Sequence, residues 1–116
     1  MFCLNVLDRC ALPVTLLKAL ARKVAPSEGL VVLSVRLPLD AYVWTPRDGV
    51  ELQKEGELMD AVLREDFAEG ARAFLAWVED RSPLRVVRAT RWPYLVQGHA
   101  EPYTSLDNLV VVAKHA

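Results

Sequence analysis

The sequence predicts a small α/β domain: a parallel strand–helix–strand unit followed by an antiparallel strand pair. Three stretches carry that expectation. Leu30-Val31-Val32-Leu33-Ser34-Val35-Arg36-Leu37 is an almost unbroken run of β-branched and leucine residues, which suits a central strand covered on both faces. An apolar run opens the chain at residues 2–7, and a helical period over about 13–25 separates it from that central strand. Near the end, residues 84–91 and 109–113 read as strands joined by a link with no helix, so they are expected to pair antiparallel.

Each element has its own signal. Residues 2–7 form the first strand, with Asn5 near its end and Asp8 three positions further on. Pro13 stands in the first turn of the helix, where the missing N–H costs nothing. Val14, Leu16, Leu17, Leu20, Ala21 and Val24 make its apolar face, and Lys18, Arg22 and Lys23 the polar one, with two of these cations near the C-terminal end. Pro26-Ser27-Glu28-Gly29 ends the helix. The crossover between the two strands is expected to be right-handed.

Residues 38–55 read as irregular, with Pro38, Pro46 and Gly49 as breakers. That is long for a loop in a small domain and points to a lid or binding segment. Its aromatics, Tyr42 and Trp44, either cover a ligand or pack the loop onto the core. Helical spacing returns from Glu57 to about Asp80, in Leu58, Met59, Val62, Leu63, Phe67, Ala71, Phe74, Leu75 and Val78. Gly70 weakens a single helix, and two shorter ones meeting near residues 64–66 are the alternative. Leu84–Arg91 alternates only partly, as a strand near the sheet edge does, and Trp92-Pro93-Tyr94-Leu95 leaves it. Gly98 to Ser105 reads as a loop before the final strand at Leu109–Ala113. The order β-α-β-loop-α-β-β, with its antiparallel last pair, is how the second half of a class I (Rossmann-like) S-adenosylmethionine-dependent methyltransferase sheet ends. Other α/β proteins share it, so the order alone does not decide the function.

Bulk properties narrow the field. At 116 residues the chain is one small domain, and 53% hydrophobic with 25% charged residues is a globular composition. A net charge of -1 gives a nucleic-acid partner no electrostatic support. No apolar run reaches the roughly 18 residues of a membrane span, and the start lacks the basic and apolar regions of a signal peptide, so an intracellular protein is expected. Cys3 and Cys10 have no His or Cys neighbours at zinc-ligand spacing and read as small packed thiols, so no metal site is expected. His99 and His115 are isolated. Arg85, Arg88 and Arg91 recur on one strand and read as a solvated face.

The candidate site lies where the first strand breaks into polar residues before the helix. Open α/β sheets place ligands outside the carboxyl ends of their strands, so Asn5 and Asp8 are the candidate chemical residues. Two readings of Asp8 stand side by side: a side chain that faces a substrate, or the N-cap of the helix that follows.

Leu4-Asn5-Val6-Leu7-Asp8-Arg9-Cys10, followed by Pro13 and Thr15-Leu16-Leu17, resembles the L-N-L-L-D-R-C-x-x-P-x-T-L-L segment of the DREV (methyltransferase-like protein 9) family of protein-histidine methyltransferases. Three further segments agree in order. Leu37-Pro38 with Tyr42-Val43 resembles its L-P-x-x-x-Y-V, and Thr90-Arg91-Trp92-Pro93-Tyr94-Leu95 with Gly98 resembles its T-R-L-P-Y-L-x-x-G. Tyr103 with Leu106-Asp107 and the valine run resembles its Tyr-rich Y-x-L-D-D ending. The match spans nearly the whole chain and is loose over 50–82. The resemblance implies methyl transfer from S-adenosylmethionine to the pros nitrogen of histidine in protein substrates with His-x-His motifs. It implies that Asn5 and Asp8 are substrate-side residues after the fourth strand, and that Tyr103 is the surviving member of the Tyr-rich substrate segment. The chain departs from the family pattern at Thr104, where a second tyrosine is the rule, and is one residue shorter between Gly98 and Tyr103.

A class I methyltransferase holds its donor with a Gly-rich turn after its first strand and an acid after its second. Gly29, Gly49, Gly56, Gly70 and Gly98 are too far apart for such a turn. Residues 1–116 are therefore expected to be a single partial methyltransferase domain, from the fourth strand onward, without the donor-binding half. The fourth strand would then be an exposed edge carrying Phe2 and Leu4, beside an uncovered apolar face. Two functional classes follow: a histidine methyltransferase seen as its C-terminal portion, or a truncated, non-catalytic methyltransferase-like chain that cannot bind the donor. A generic small-molecule methyltransferase is a third. In the first, a carboxylate accepting one imidazole N–H fixes the tautomer and raises the basicity of the other nitrogen. Asp8 suits that task, and Asn5 suits orienting the ring or the substrate backbone.

Overall fold

Alternate residues of the central strand decide which way the sheet faces. In the computed structural model, which describes residues 1–96 and 103–116, Val31, Leu33, Val35 and Leu37 of β2 (Leu30–Leu37) are all buried toward the helices. β2 pairs in parallel with β1 (Phe2–Leu4) on one side and antiparallel with β6 (Thr104–His115) on the other. β5 (Leu84–Val96) pairs antiparallel with β6, so the sheet runs β1-β2-β6-β5. The central position of β2 and the antiparallel last pair agree with the sequence.

α1 (Pro13–Val24) and α3 (Phe67–Arg81) lie against the same face of this sheet. α1 buries Val14, Leu17, Leu20, Ala21 and Val24, the stripe its period predicts. α3 contributes Phe74, Trp77 and Val78, with the Phe74 and Trp77 rings stacked at 5.8 Å between centroids. The helical stretch is two helices, α2 (Glu57–Val62) and α3, the alternative in which two shorter helices meet near residues 64–66. Asp66 caps α3 by accepting the N–H of Glu69 at 3.0 Å. Gly70 is buried beneath α2 and β2, 3.7 Å from the Val62 carbonyl and from Leu37 at the place where a Cβ would stand, so it brings the two helices close.

Several expectations need correction. β1 ends at Leu4 rather than Leu7, because Asn5 takes a left-handed conformation (φ 55°) that no strand continues. Residues 38–55 are not wholly irregular: β3 (Val43–Thr45) and β4 (Gly49–Glu51) form a two-stranded hairpin. Its turn is closed by Thr45 Oγ1, which accepts the Asp48 N–H at 3.1 Å, and by Gly49 at φ 74°. β5 runs on through Trp92, Pro93, Tyr94 and Leu95 to Val96, since an edge strand tolerates a proline on its unpaired side. β6 begins at Thr104 rather than Leu109, and the rest of the expected loop, with Gly98 and His99, lies outside the described residues. The arginines are exposed but do not share a face. Register and a bulge at Val87 put Arg85 and Arg88 on the open side, and Arg91 on the helix side, over the Phe67 ring and paired with Asp107.

β2 is covered on one face only. The other face, with Phe2, Leu4, Val32, Ser34, Arg36, Asn108, Val110 and Trp92, has no helix among the described residues, and Phe2 stays 74% exposed. An edge strand of three residues with one covered face opens easily. Hydrogen exchange should therefore show weak protection at residues 2–4 and strong protection at 31–37 and 109–113. In denaturant melts, Leu33→Ala should cost about 2–5 kcal/mol and Phe2→Ser no more than about 0.5 kcal/mol.

Candidate functional site

The turn from β1 into α1 is buried at Leu7 and Asp8, and buried backbone must be satisfied. Part of this is local: the N–H groups of Arg9 and Cys10 donate to the Val6 carbonyl. The rest comes from across the chain. The Gln53 side-chain amide donates to the carbonyls of Leu7 at 2.7 Å and Cys10 at 2.8 Å. Two residues on, the Glu55 carboxylate accepts the N–H of Thr15 at 3.0 Å and its hydroxyl at 3.1 Å. That places a negative charge at the N-terminus of α1, where free N–H groups and the helix dipole favour it. The segment after the β3–β4 hairpin thus clasps both the turn and the helix start.

Asp8 does not cap α1. The helix begins after Leu12 with no side-chain cap, so the capping reading is overturned, and the charge at the helix N-terminus is Glu55. Asp8 is instead 2% exposed. Its Oδ2 accepts from Arg9 Nη1 at 3.4 Å, its backbone carbonyl accepts the Tyr42 N–H at 3.0 Å, and its buried Oδ1 has no hydrogen-bond partner among the described residues. Burial pushes the carboxyl above the ordinary aspartate range, against the pull of Arg9 and Arg36.

Asn5 sits differently. Its backbone N–H donates to the carbonyl of Ser34 at 2.9 Å and to its hydroxyl at 3.1 Å. Its left-handed backbone is one that asparagine tolerates better than most residues, which accounts for the residue type locally. Asn5 also lines a shallow cleft of about 320 Å³ on the open face, with Phe2, Leu4, Val32, Ser34, Trp92, Asn108 and Val110. Asp8 is not in that lining. Tyr103 stands exposed just before β6, four residues beyond Asp107, which pairs with Leu37 at the carboxyl end of β2, so it lies past that end of β2, the end where Asn5 and Asp8 lie. No hydrogen bond joins Asn5, Asp8 and Tyr103 among the described residues. What brings the site together is Arg9, stacked 3.8 Å from the Tyr42 ring centroid, and Gln53.

A family model of the DREV methyltransferases matches residues 1–115. The chain belongs to the DREV methyltransferase family. The match covers every residue of the site, so the Asp8 turn and its clasp are the DREV sequence folded, not an added segment.

The remaining DREV residues singled out from the sequence divide by burial. Tyr42 is half-buried against Arg9, whereas Trp44 is 68% exposed at the hairpin. Cys3 is buried and its thiol is pushed up to about 11 by burial, then by Cys10 and Asp8, so it stays protonated as a packed thiol. Cys10 is half-buried, its thiol likewise raised by burial. His115 is near the C-terminal end of β6, far along the strand from Thr104. No helix of the described residues is long and apolar enough to cross a membrane. Sequence reasoning missed Gln53, Glu55 and Arg9. Gln53 and Glu55 were hidden because their partners lie 46 and 40 residues away in the sequence.

Two outcomes follow. Gln53→Leu leaves a buried and a partly buried carbonyl without their donor and should destabilise the fold by about 1–3 kcal/mol in urea or thermal melts. Asp8 has its folded pKa above its unfolded one, so the native state binds the extra proton and stability falls as pH rises between the two values. Asp8→Asn should therefore raise Tm at neutral pH, and the gain should vanish as pH falls below the unfolded value of about 3.9.

Proposed function

We propose that this chain is the substrate-side, C-terminal portion of a class I methyltransferase that methylates the pros nitrogen of histidine in His-x-His segments of proteins. The observation that carries the reading is Asp8: a buried carboxylate just past a strand's carboxyl end, with one oxygen unpartnered among the described residues, in a chain of a methyltransferase family. Such an oxygen is a strong acceptor for a single N–H. An imidazole that donates its protonated nitrogen there presents the other nitrogen, with its lone pair in the ring plane, as the nucleophile. Asn5, on the open side of the same strand end, is suited to the substrate backbone, and Tyr103 to the segment around the histidine. Asp8 is closed off in the free chain, so substrate entry must open a path to its Oδ1, in keeping with a lid role for residues 38–55.

The sheet order supports the class I reading. The last strand lies antiparallel between β2 and β5, and β1, which corresponds to the fourth strand, has β2 as its only described partner.

The residues present do not fit S-adenosylmethionine. The strand-to-helix turn at 5–12 contains no glycine. Each described glycine serves elsewhere: Gly29 behind a helix end, Gly49 in the hairpin, Gly56 before α2 and Gly70 in helix packing. We therefore assign these residues no step in donor binding. That same observation favours the second reading, a non-catalytic chain, for residues 1–116 taken alone.

Calorimetric titration of the 116-residue chain with S-adenosylmethionine should give no binding, and a micromolar Kd would overturn the partial-domain reading. In a protein that carries this chain and turns over, Asp8→Asn should lower kcat for a His-x-His peptide by about 10²–10⁴-fold, with donor binding nearly unchanged. Equal loss of both, or an intact kcat, would remove Asp8 from the substrate role.

A further inference from the structure

The residue that touches Asp8 is held mainly by something else. Arg9 Nη1 is hydrogen-bonded to the carbonyl of Asp40 and to that of Asp8, the latter at 3.0 Å, while its contact with Asp8 Oδ2 is long, at 3.4 Å. The guanidinium carbon lies 3.8 Å from the centre of the Tyr42 ring, and the Tyr42 N–H donates back to the Asp8 carbonyl at 3.0 Å. A planar cation stacked on a ring and pinned by two carbonyls has little freedom, so its charge stays beside the carboxylate whether or not the loose contact is made. This is a fixed counter-charge, not an ordinary surface ion pair: the Asp8 side chain is 3% exposed and that of Arg9 33%.

We propose that Arg9 is the positioning residue of Asp8: set by Tyr42 and Asp40, it keeps the buried carboxylate ionised and able to accept an N–H. The inference rests on the reading of Asp8 as the acceptor of the substrate's imidazole proton. Its chemistry is simple. A protonated carboxyl donates where an imidazole N–H needs an acceptor, and burial alone drives Asp8 toward protonation. The charged and titratable groups that face Asp8 are Arg9 from its own turn, Arg36 from β2, Asp40 from the segment after β2, and the Cys3 and Cys10 thiols. Of the two cations, Arg36 forms no hydrogen bond with Asp8 among the described residues, and its buried Nε has no partner. Arg9 is the cation in contact. Lysine at position 9 would keep the charge but lose the flat stack on Tyr42 and the fork of donors.

The test is a pH titration of the Asp8 side-chain carboxyl by carbon NMR, in the 116-residue chain labelled at aspartate. Arg9→Gln should move the Asp8 midpoint upward, Arg9→Lys should restore part of the movement, and Tyr42→Leu, which removes the stack and leaves the charge, should move it up by less than Arg9→Gln. An Asp8 midpoint unchanged in Arg9→Gln overturns the proposal. If that variant does not fold, an unchanged midpoint in both Arg9→Lys and Tyr42→Leu does so. A second arm measures kcat/KM against pH in a turning-over protein that carries this chain. There the acid limb should follow the Asp8 midpoint in Arg9→Gln, with about a tenfold loss on the acid side for each unit of movement. An NMR shift without movement of the limb keeps Arg9 as the partner of Asp8 and overturns the assignment of Asp8 to the substrate. A limb that moves while the Asp8 midpoint stays still overturns the role of Arg9.

Discussion

The carbonyl of Leu7 is buried and must be bonded, and Gln53 bonds it together with the partly buried carbonyl of Cys10. The rest of the site depends on that constraint. With the amide in place, the turn between β1 and α1 has one conformation, Asp8 is held inside it, and Arg9 leaves it toward Tyr42. With the amide removed, two acceptors lose their donor, one of them in the buried interior. Glu55, two residues further on, is then carried to the N-terminus of α1, where a helix with no side-chain cap of its own needs an anion. One short segment therefore sets both the shape of the turn and the start of the helix.

The sheet has a related asymmetry. Its helix-covered face is packed with Val31, Leu33, Val35, Val111 and Phe74, none of which is exposed. Its other face mixes apolar Phe2, Leu4 and Trp92 with Ser34, Arg36 and Asn108, and two of those polar residues hold a buried atom without a hydrogen-bond partner among the described residues: Arg36 Nε and Asn108 Oδ1. Exposed aromatics beside buried, unpartnered polar atoms mark a surface whose composition suits contact better than solvent. The candidate residues divide along this asymmetry. Asn5 belongs to the open face and Asp8 to the interior, although only two residues separate them. A left-handed backbone at Asn5 reverses the chain direction enough to send the two side chains apart.

Arg9 joins parts of the chain that are remote in sequence. It meets residues 40–42 across the end of the sheet, and through them the β3–β4 hairpin is bound to the Asp8 turn from one side, while Gln53 binds it from the other. The hairpin is thus anchored at both its ends, with Trp44, Val50 and Leu52 left exposed on it. Motion of that unit would change the surroundings of Asp8 directly, because the Tyr42 N–H bonds the Asp8 carbonyl and Arg9, which bonds the Asp40 carbonyl, also contacts the Asp8 carboxylate.

The amino-acid order by itself determined the strong periodic elements. The run 30–37 became β2 with the expected bounds, and the apolar stripe of α1 was the buried one, because hydrophobic period and backbone geometry are local properties. The family was legible too, since Leu4–Cys10 and the motifs that follow it in order are local strings. Tertiary structure alone decided the rest. β5 and β6 gained residues beyond their apolar cores because each strand supplies the other's hydrogen bonds, so Trp92-Pro93-Tyr94-Leu95 is extended despite its proline. Asp8 did not become a helix cap because α1 starts at Pro13, beyond the reach of a cap at position 8, and Glu55, 40 residues from Thr15, supplies the anion at the helix N-terminus. Whether a carboxylate is a cap, a surface charge or a buried acceptor depends on which remote groups desolvate and pair with it. Those groups, Gln53, Arg9 and Tyr42, come together only when the chain is folded.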